Sequence, residues 1–128
     1  MRICMITSSY PRYAGDGAGS FISSLARALV ALGHEVHVVA PYDPAVADME
    51  QGGVNVSRFR YAPSDAWCVV GHAQSLRADR KMRPLAPLLM PAFIAAASQR
   101  ALTLHRRQPF DVLHGQWAVP GGVIAGLV

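Results

Sequence analysis

Cysteine is scarce: Cys4 and Cys68 are the only two in 128 residues. Two thiols build no disulfide framework, and no cysteine or histidine spacing matches a metal site. Cys4 lies in the apolar run Ile3-Cys4-Met5-Ile6, where a free thiol behaves as a small hydrophobe; the pair fits a reducing compartment. Long apolar runs are missing too. The longest, residues 84–97, holds Pro84, Pro87 and Pro91 and is too short to span a bilayer. The opening run reaches Ser8-Ser9-Tyr10-Pro11 at once, which does not fit a secretory leader. The chain is therefore expected to be cytoplasmic, with contact to a membrane surface left open. Acid is scarce where base is dense: between Arg77 and Arg107 only Asp79 offsets Arg77, Arg80, Lys81, Arg83, Arg100, Arg106 and Arg107. Such a field attracts phosphates, anionic lipid or nucleic acid, although a solvated helix face reads the same way.

What is present is one domain's worth of apolar chain, 52% hydrophobic and 16% charged. That balance points to strands covered on both faces, or to an apolar surface normally buried against something else. Residues 2–8 read as a buried strand. A loop of Gly and Pro follows, and Ser20 is the expected helix N-cap. Phe21, Leu25, Ala28, Leu29 and Leu32 recur at helical spacing and predict the buried face, with Gly33 as the stop. Residues 35–40 form a second strand ended by Pro41, and strand–helix–strand at this spacing makes a parallel unit. Residues 54–61 alternate as a third strand near an edge. Residues 62–83 have no clear period. A helix runs to Arg107, clearest from Ala92, with Phe93, Ile94, Ala97, Ala101 and Leu104 on one side. Residues 110–114 form a fourth strand, and a helix starts near Pro120, carrying Val123, Ile124 and Leu127.

Two segments carry chemistry. Gly15-x-Gly17-x-Gly19 lies between a strand and a helix, where glycines let backbone amides approach a phosphate or a sugar hydroxyl; the plain alternative is a loop with no ligand. The dinucleotide fingerprint fits badly. It needs a tight turn and a third glycine where Ser20 stands, and an acid where the second strand ends in Ala40-Pro41. The second segment, residues 110–122, leaves the fourth strand through His114-Gly115-Gln116-Trp117. In parallel sheets ligands bind at strand carboxyl ends. There a histidine trades protons, a glutamine bonds a hydroxyl and a tryptophan offers a flat face to a sugar ring. The competing reading is a core histidine and a packing tryptophan.

Three stretches together carry a family likeness. Met1-Arg2-Ile3-Cys4-Met5-Ile6-Thr7-Ser8-Ser9-Tyr10-Pro11, the run from Gly17 through Leu32-Gly33-His34-Glu35-Val36, and Phe110-Asp111-Val112-Leu113-His114-Gly115-Gln116-Trp117 with Pro120-Gly121-Gly122 resemble the amino-terminal domain of retaining, family 4 glycosyltransferases of GT-B fold. The resemblance implies an α/β, Rossmann-like open parallel sheet flanked by helices. It implies that residues 1–128 are the acceptor-side half, incomplete at the carboxyl end, with a donor-binding domain absent and the fragment inactive alone. The implied activity moves a sugar from a nucleotide-sugar donor to a glycan or lipid-linked acceptor, in polysaccharide biosynthesis, with no cofactor and no metal. A non-catalytic α/β binding module and a Rossmann oxidoreductase are the alternatives. The family often reads His-x-His at the fourth strand's end; here the second position is Gln116, which cannot act as a base. His114 and Gln116 are the catalytic candidates. Tyr10, Gly15, Asp16, Gly17, Gly19, Ser20 and Trp117 are the substrate-binding candidates. Residues 77–107 are a candidate peripheral membrane contact. No nucleic-acid partner is expected, and a bare sheet edge leaves self-association open.

Overall fold

A computed structural model describes residues 1–47, 52–72 and 85–128. Four strands form one sheet in the order β3-β2-β1-β4: β1 (Arg2–Ile6), β2 (Glu35–Pro41), β3 (Asn55–Phe59) and β4 (Val112–Gly115). Every pairing is parallel. β1 is central, with Cys4 opposite His37 on one side and Leu113 on the other. The first strand is contiguously apolar because both its faces are covered. Ile3 and Met5 turn toward α1 (Ser20–Ala31), and Cys4 and Ile6 turn toward α2 (Leu85–Arg107) and α3 (Val123–Leu127). Burial pushes the Cys4 thiol pKa up to about 12, so it stays a neutral packing group.

The α1 face differs from the periodicity-based expectation. Ile22, Ser23 and Ala26 are its buried residues, joined by partly buried Leu29 and Val30. Phe21 is 54% exposed and Leu32 73% exposed, and Leu25 and Ala28 also face outward. The physical reason is steric. Small Ser23 and Ala26 let the helix axis lie close to Val36 and Val38, whereas hydrophobicity alone gives them little weight. The N-cap is Gly19, not Ser20. The stop at Gly33 holds: its N–H donates to the Val30 carbonyl and the His34 N–H to that of Leu29, with Gly33 at φ 85°, a Schellman ending that favours glycine.

On the opposite face α2 begins earlier than its clearest periodicity, at Leu85, and continues through Pro91. Phe93 sets the packing: its ring meets Phe59 and Tyr61 edge-on, each at 5.0 Å between centroids. Ala97 and Ala101 continue that stripe with no exposure, and Ile94 and Leu104 flank it. Among the described residues α2 is the one helix long and apolar enough to cross a membrane. Residues 62–72 cross the carboxyl rim of the sheet with a single 3-10 turn, Asp65–Trp67. They are anchored where the Tyr61 hydroxyl both donates to the Val70 carbonyl and accepts from its N–H. Residues 77–84 of the basic segment lie outside the described residues. Of the last helix, Ile124 is buried, while Val123 and Leu127 are exposed rather than packed.

Replacing Phe93 with alanine is expected to cost about 3–5 kcal/mol. Leu88→Ala, on a side chain 74% exposed, should cost less than about 0.5 kcal/mol. Urea unfolding of the two variants measures the contrast, and equal losses would mean that α2 packs through another face.

Candidate functional site at the carboxyl rim

All four strands run the same way, so Ile6, Pro41, Phe59 and Gly115 end on one rim. Ladder bonds extend past two of them: the Thr7 N–H donates to the Val39 carbonyl and the Gln116 N–H to that of Ile6 at 2.7 Å. The two segments of chemical interest therefore leave adjacent strands, and they meet. The ring of Phe21, in the first turn of α1, stands edge-on to Trp117 with centroids 5.9 Å apart.

The exit from β4 is built on glycine. A Cβ on Gly115 would come within 2.5 Å of the Gly121 carbonyl oxygen, and one on Gly121 within 2.0 Å of that of Gln116. Backbone lies on backbone, so the Pro120-Gly121-Gly122 run folds back over Gly115-Gln116. Residues 117–122 form an irregular turn rather than a regular helix, because Val119 is extended at φ −128°, ψ 127°. Trp117 sits at φ 68°, a left-handed conformation that costs a bulky residue about 1–3 kcal/mol and is found most often at functional sites. Its side chain is 56% exposed. His114 in β4 and Gln116 just past its end, two apart in extended backbone, point the same way. The Gln116 amide nitrogen lies 3.2 Å from His114 Nε2. Gln116 is buried and His114 exposed, so the amide supports an imidazole that remains open to solvent.

The first loop is held by its own charges. The Asp16 carboxylate accepts from Arg12 Nε at 2.7 Å, from the Arg12 N–H and from the Ala18 N–H. Arg12 also reaches Asp43 at 3.6 Å. The Arg12 hydrogen bond holds the Asp16 pKa well below the usual carboxylate range, against the opposing effect of burial. Asp16 thus closes the loop rather than offering a free carboxylate. Gly15 (φ 86°) and Gly19 (φ 69°) occupy left-handed conformations, and a Cβ on Gly19 would meet the Ser9 carbonyl oxygen at 2.4 Å. Gly17 and Ser20 are exposed at the mouth of α1. Tyr10 lies elsewhere than a binding surface. It is fully buried in the α1-side core, its ring 5.7 Å from the Arg58 guanidinium, so Tyr10 is a packing element.

His72 was not legible as part of this region, because it sits in a stretch without periodicity. It is buried at φ 49°. Its N–H donates to the Ser8 carbonyl, Nδ1 accepts from the Tyr10 N–H at 3.4 Å, and Nε2 pairs with the Pro41 carbonyl at 3.3 Å. It thereby ties the exit of β1 to that of β2, and burial lowers its pKa. Phe21 was read as a buried residue, whereas it forms part of the rim. Among the described residues no three His, Cys, Asp or Glu side chains gather as metal ligands.

The sequence matches a known family model, that of the glycosyl transferase 4-like domain, over residues 16–128. The chain belongs to the glycosyl transferase 4-like family. Neither a curated protein nor a solved structure matches it. Within this transferase-family module the long first loop and the Ala40-Pro41 end of β2 separate the rim from a dinucleotide site, which needs a tight glycine turn and an acid at those places.

The Asp16 clasp has a pH signature. The folded carboxylate binds its proton more weakly than the unfolded one. Its stabilisation is therefore complete above the ordinary value of about 4 and is lost as pH falls through the lowered folded value. Wild-type melting temperature should drop more steeply between about pH 5 and pH 2 than that of Asp16→Asn. Parallel curves would show that the clasp does not hold the loop.

Proposed function

We propose that the intact protein transfers a sugar from a nucleotide-sugar donor to a glycan or lipid-linked acceptor, and that this domain holds the acceptor at the rim. The observation that supports the reading is the meeting of Phe21 and Trp117 beside His114 and Gln116. In this reading Trp117 offers its exposed face to a sugar ring, since an indole presents a broad apolar surface to axial C–H groups. The partial positive charge at the start of α1, next to the exposed Gly17 and Ser20, faces a hydroxyl or a phosphate oxygen. His114 takes or gives a proton, or donates a hydrogen bond to the acceptor. Gln116 orients the imidazole and carries no charge of its own, so no general base is assigned to it.

The donor's diphosphate falls to a donor-binding domain outside residues 1–128, and the chemistry requires no cofactor. We place the protein in the cytoplasm, with α2 as the surface that would touch a membrane. Leu88, exposed beside partly buried Leu85, Leu89 and Met90, supplies the apolar contact there.

The test is a transfer assay on the intact protein with a panel of nucleotide sugars, followed by Trp117→Ala. Loss of the stacking face should lower kcat/KM about tenfold, close to 1.4 kcal/mol of transition-state stabilisation, while Leu32→Ala, on the far end of α1, should leave it unchanged. Absence of transfer and of nucleotide-sugar binding across the panel would remove the proposal. An unaltered kcat/KM in Trp117→Ala would remove the rim from it.

A further inference from the structure

The sheet edge opposite β4 carries a concavity away from the rim. Between β3 and the middle of α2 lies a hollow of about 320 Å³. Arg58, Arg60, Gln99, Arg100 and Thr103 line it, and no acid does among the described residues. The three arginines differ in how they are engaged. Arg60 pairs with Asp65 and lies over the ring of Tyr42. Arg58 directs its guanidinium away from the hollow, to the carbonyls of Pro41 and Pro11 and the ring of Tyr10 on the α1 side, so the charge that faces the hollow is that of Arg60 and Arg100. Arg100 donates through Nη2 to the Ser57 hydroxyl at 3.2 Å, but its Nε is buried with no hydrogen-bond partner, and no carboxylate lies within ion-pair distance of it among the described residues. The Ser57 hydroxyl is itself fixed by His37 Nε2 at 2.9 Å.

An unsatisfied guanidinium N–H inside a protein is costly and rare, and it marks a place where an acceptor belongs. The acceptor that fits a basic hollow is an anion. A phosphate matches better than a carboxylate, because it spreads charge over several oxygens that can meet the Nε and Nη edge of a guanidinium and a neighbouring amide together. The exposed side chain of Gln99 supplies such an amide. The volume exceeds that of a bare phosphate and lies in the range of small-molecule sites, so the phosphate would be carried on a larger body.

We propose that the hollow between β3 and α2 binds a phosphate group, carried on a small molecule or on a lipid head, with Arg100 as its principal ligand. The site is separate from the rim and does not depend on the transfer reaction. The test titrates the intact protein, at low salt and with saturating nucleoside diphosphate to occupy the donor site, with inorganic pyrophosphate by calorimetry, and in parallel sediments it with phosphatidylglycerol vesicles. Arg100→Gln and Gln99→Glu are compared with Arg106→Gln, an exposed arginine outside the hollow.

Saturable pyrophosphate binding, weakened about tenfold or more by both hollow variants and unchanged in Arg106→Gln, is the expected result. Vesicle binding lost with the same variants would assign the phosphate to a lipid head; pyrophosphate binding without sedimentation would assign it to a soluble ester. Absence of binding in both arms, equal weakening by Arg106→Gln, or wild-type affinity in Arg100→Gln would overturn the site. Should Arg100→Gln fail to fold, Gln99→Glu decides: it alters an exposed side chain, and unchanged affinity there would equally overturn it.

Discussion

The rim depends on β1 being hydrogen-bonded in parallel to β2 on one side and to β4 on the other. Parallel pairing aligns the carboxyl ends of strands that are far apart in sequence, and it requires both faces to be covered. Because Ile6 accepts from Gln116 just beyond the last ladder residues, the exit of β4 is set against the start of the first loop. A change that slipped this register by one residue would turn Cys4 and Ile6 toward α1. It would also move Trp117 away from Phe21.

Rigidity at the rim comes from three different sources. In the β4 exit it is steric: Gly115 and Gly121 allow two backbones to touch where any Cβ would collide. In the first loop it is electrostatic, through Arg12 between Asp16 and Asp43. Beneath both, His72 bonds the Ser8 and Pro41 carbonyls and the Tyr10 N–H. A rim held in this way would lose little conformational entropy on taking the proposed acceptor. The hollow beside Arg100 lies at the other sheet edge, so it and the rim are served by different elements.

Much of the architecture was legible because the signals are local. Contiguous apolar runs marked β1 and β2, Gly33 marked the end of α1, and the Phe93, Ala97 and Ala101 stripe marked the buried side of α2. The buried face of α1 departs from its apolar periodicity, which points to Phe21 and Leu25, whereas Ser23 and Ala26 are buried. Close helix–sheet packing selects small side chains, and that selection is a property of the interface rather than of the helix. Tyr10 departs from expectation for a related reason: a residue beside a glycine-rich loop can turn its ring into the core. His72 gave no signal, because a lone polar residue acquires meaning only from the groups packed around it; Arg100 was visible only as one of the basic residues of 77–107, and its place beside Ser57 and Gln99 follows from packing.

The sequence alone determined an α/β parallel sheet and a family likeness, since strand periodicity, glycine stops and the His-Gly-Gln-Trp stretch are written along the chain. Only the tertiary structure decided which of those residues act together. Whether Asp16 is free or clasped, whether Tyr10 is a ligand or a core ring, and whether Phe21 meets Trp117 all follow from distances between segments remote in sequence. Those distances are set by strand register and helix packing, which no local pattern encodes.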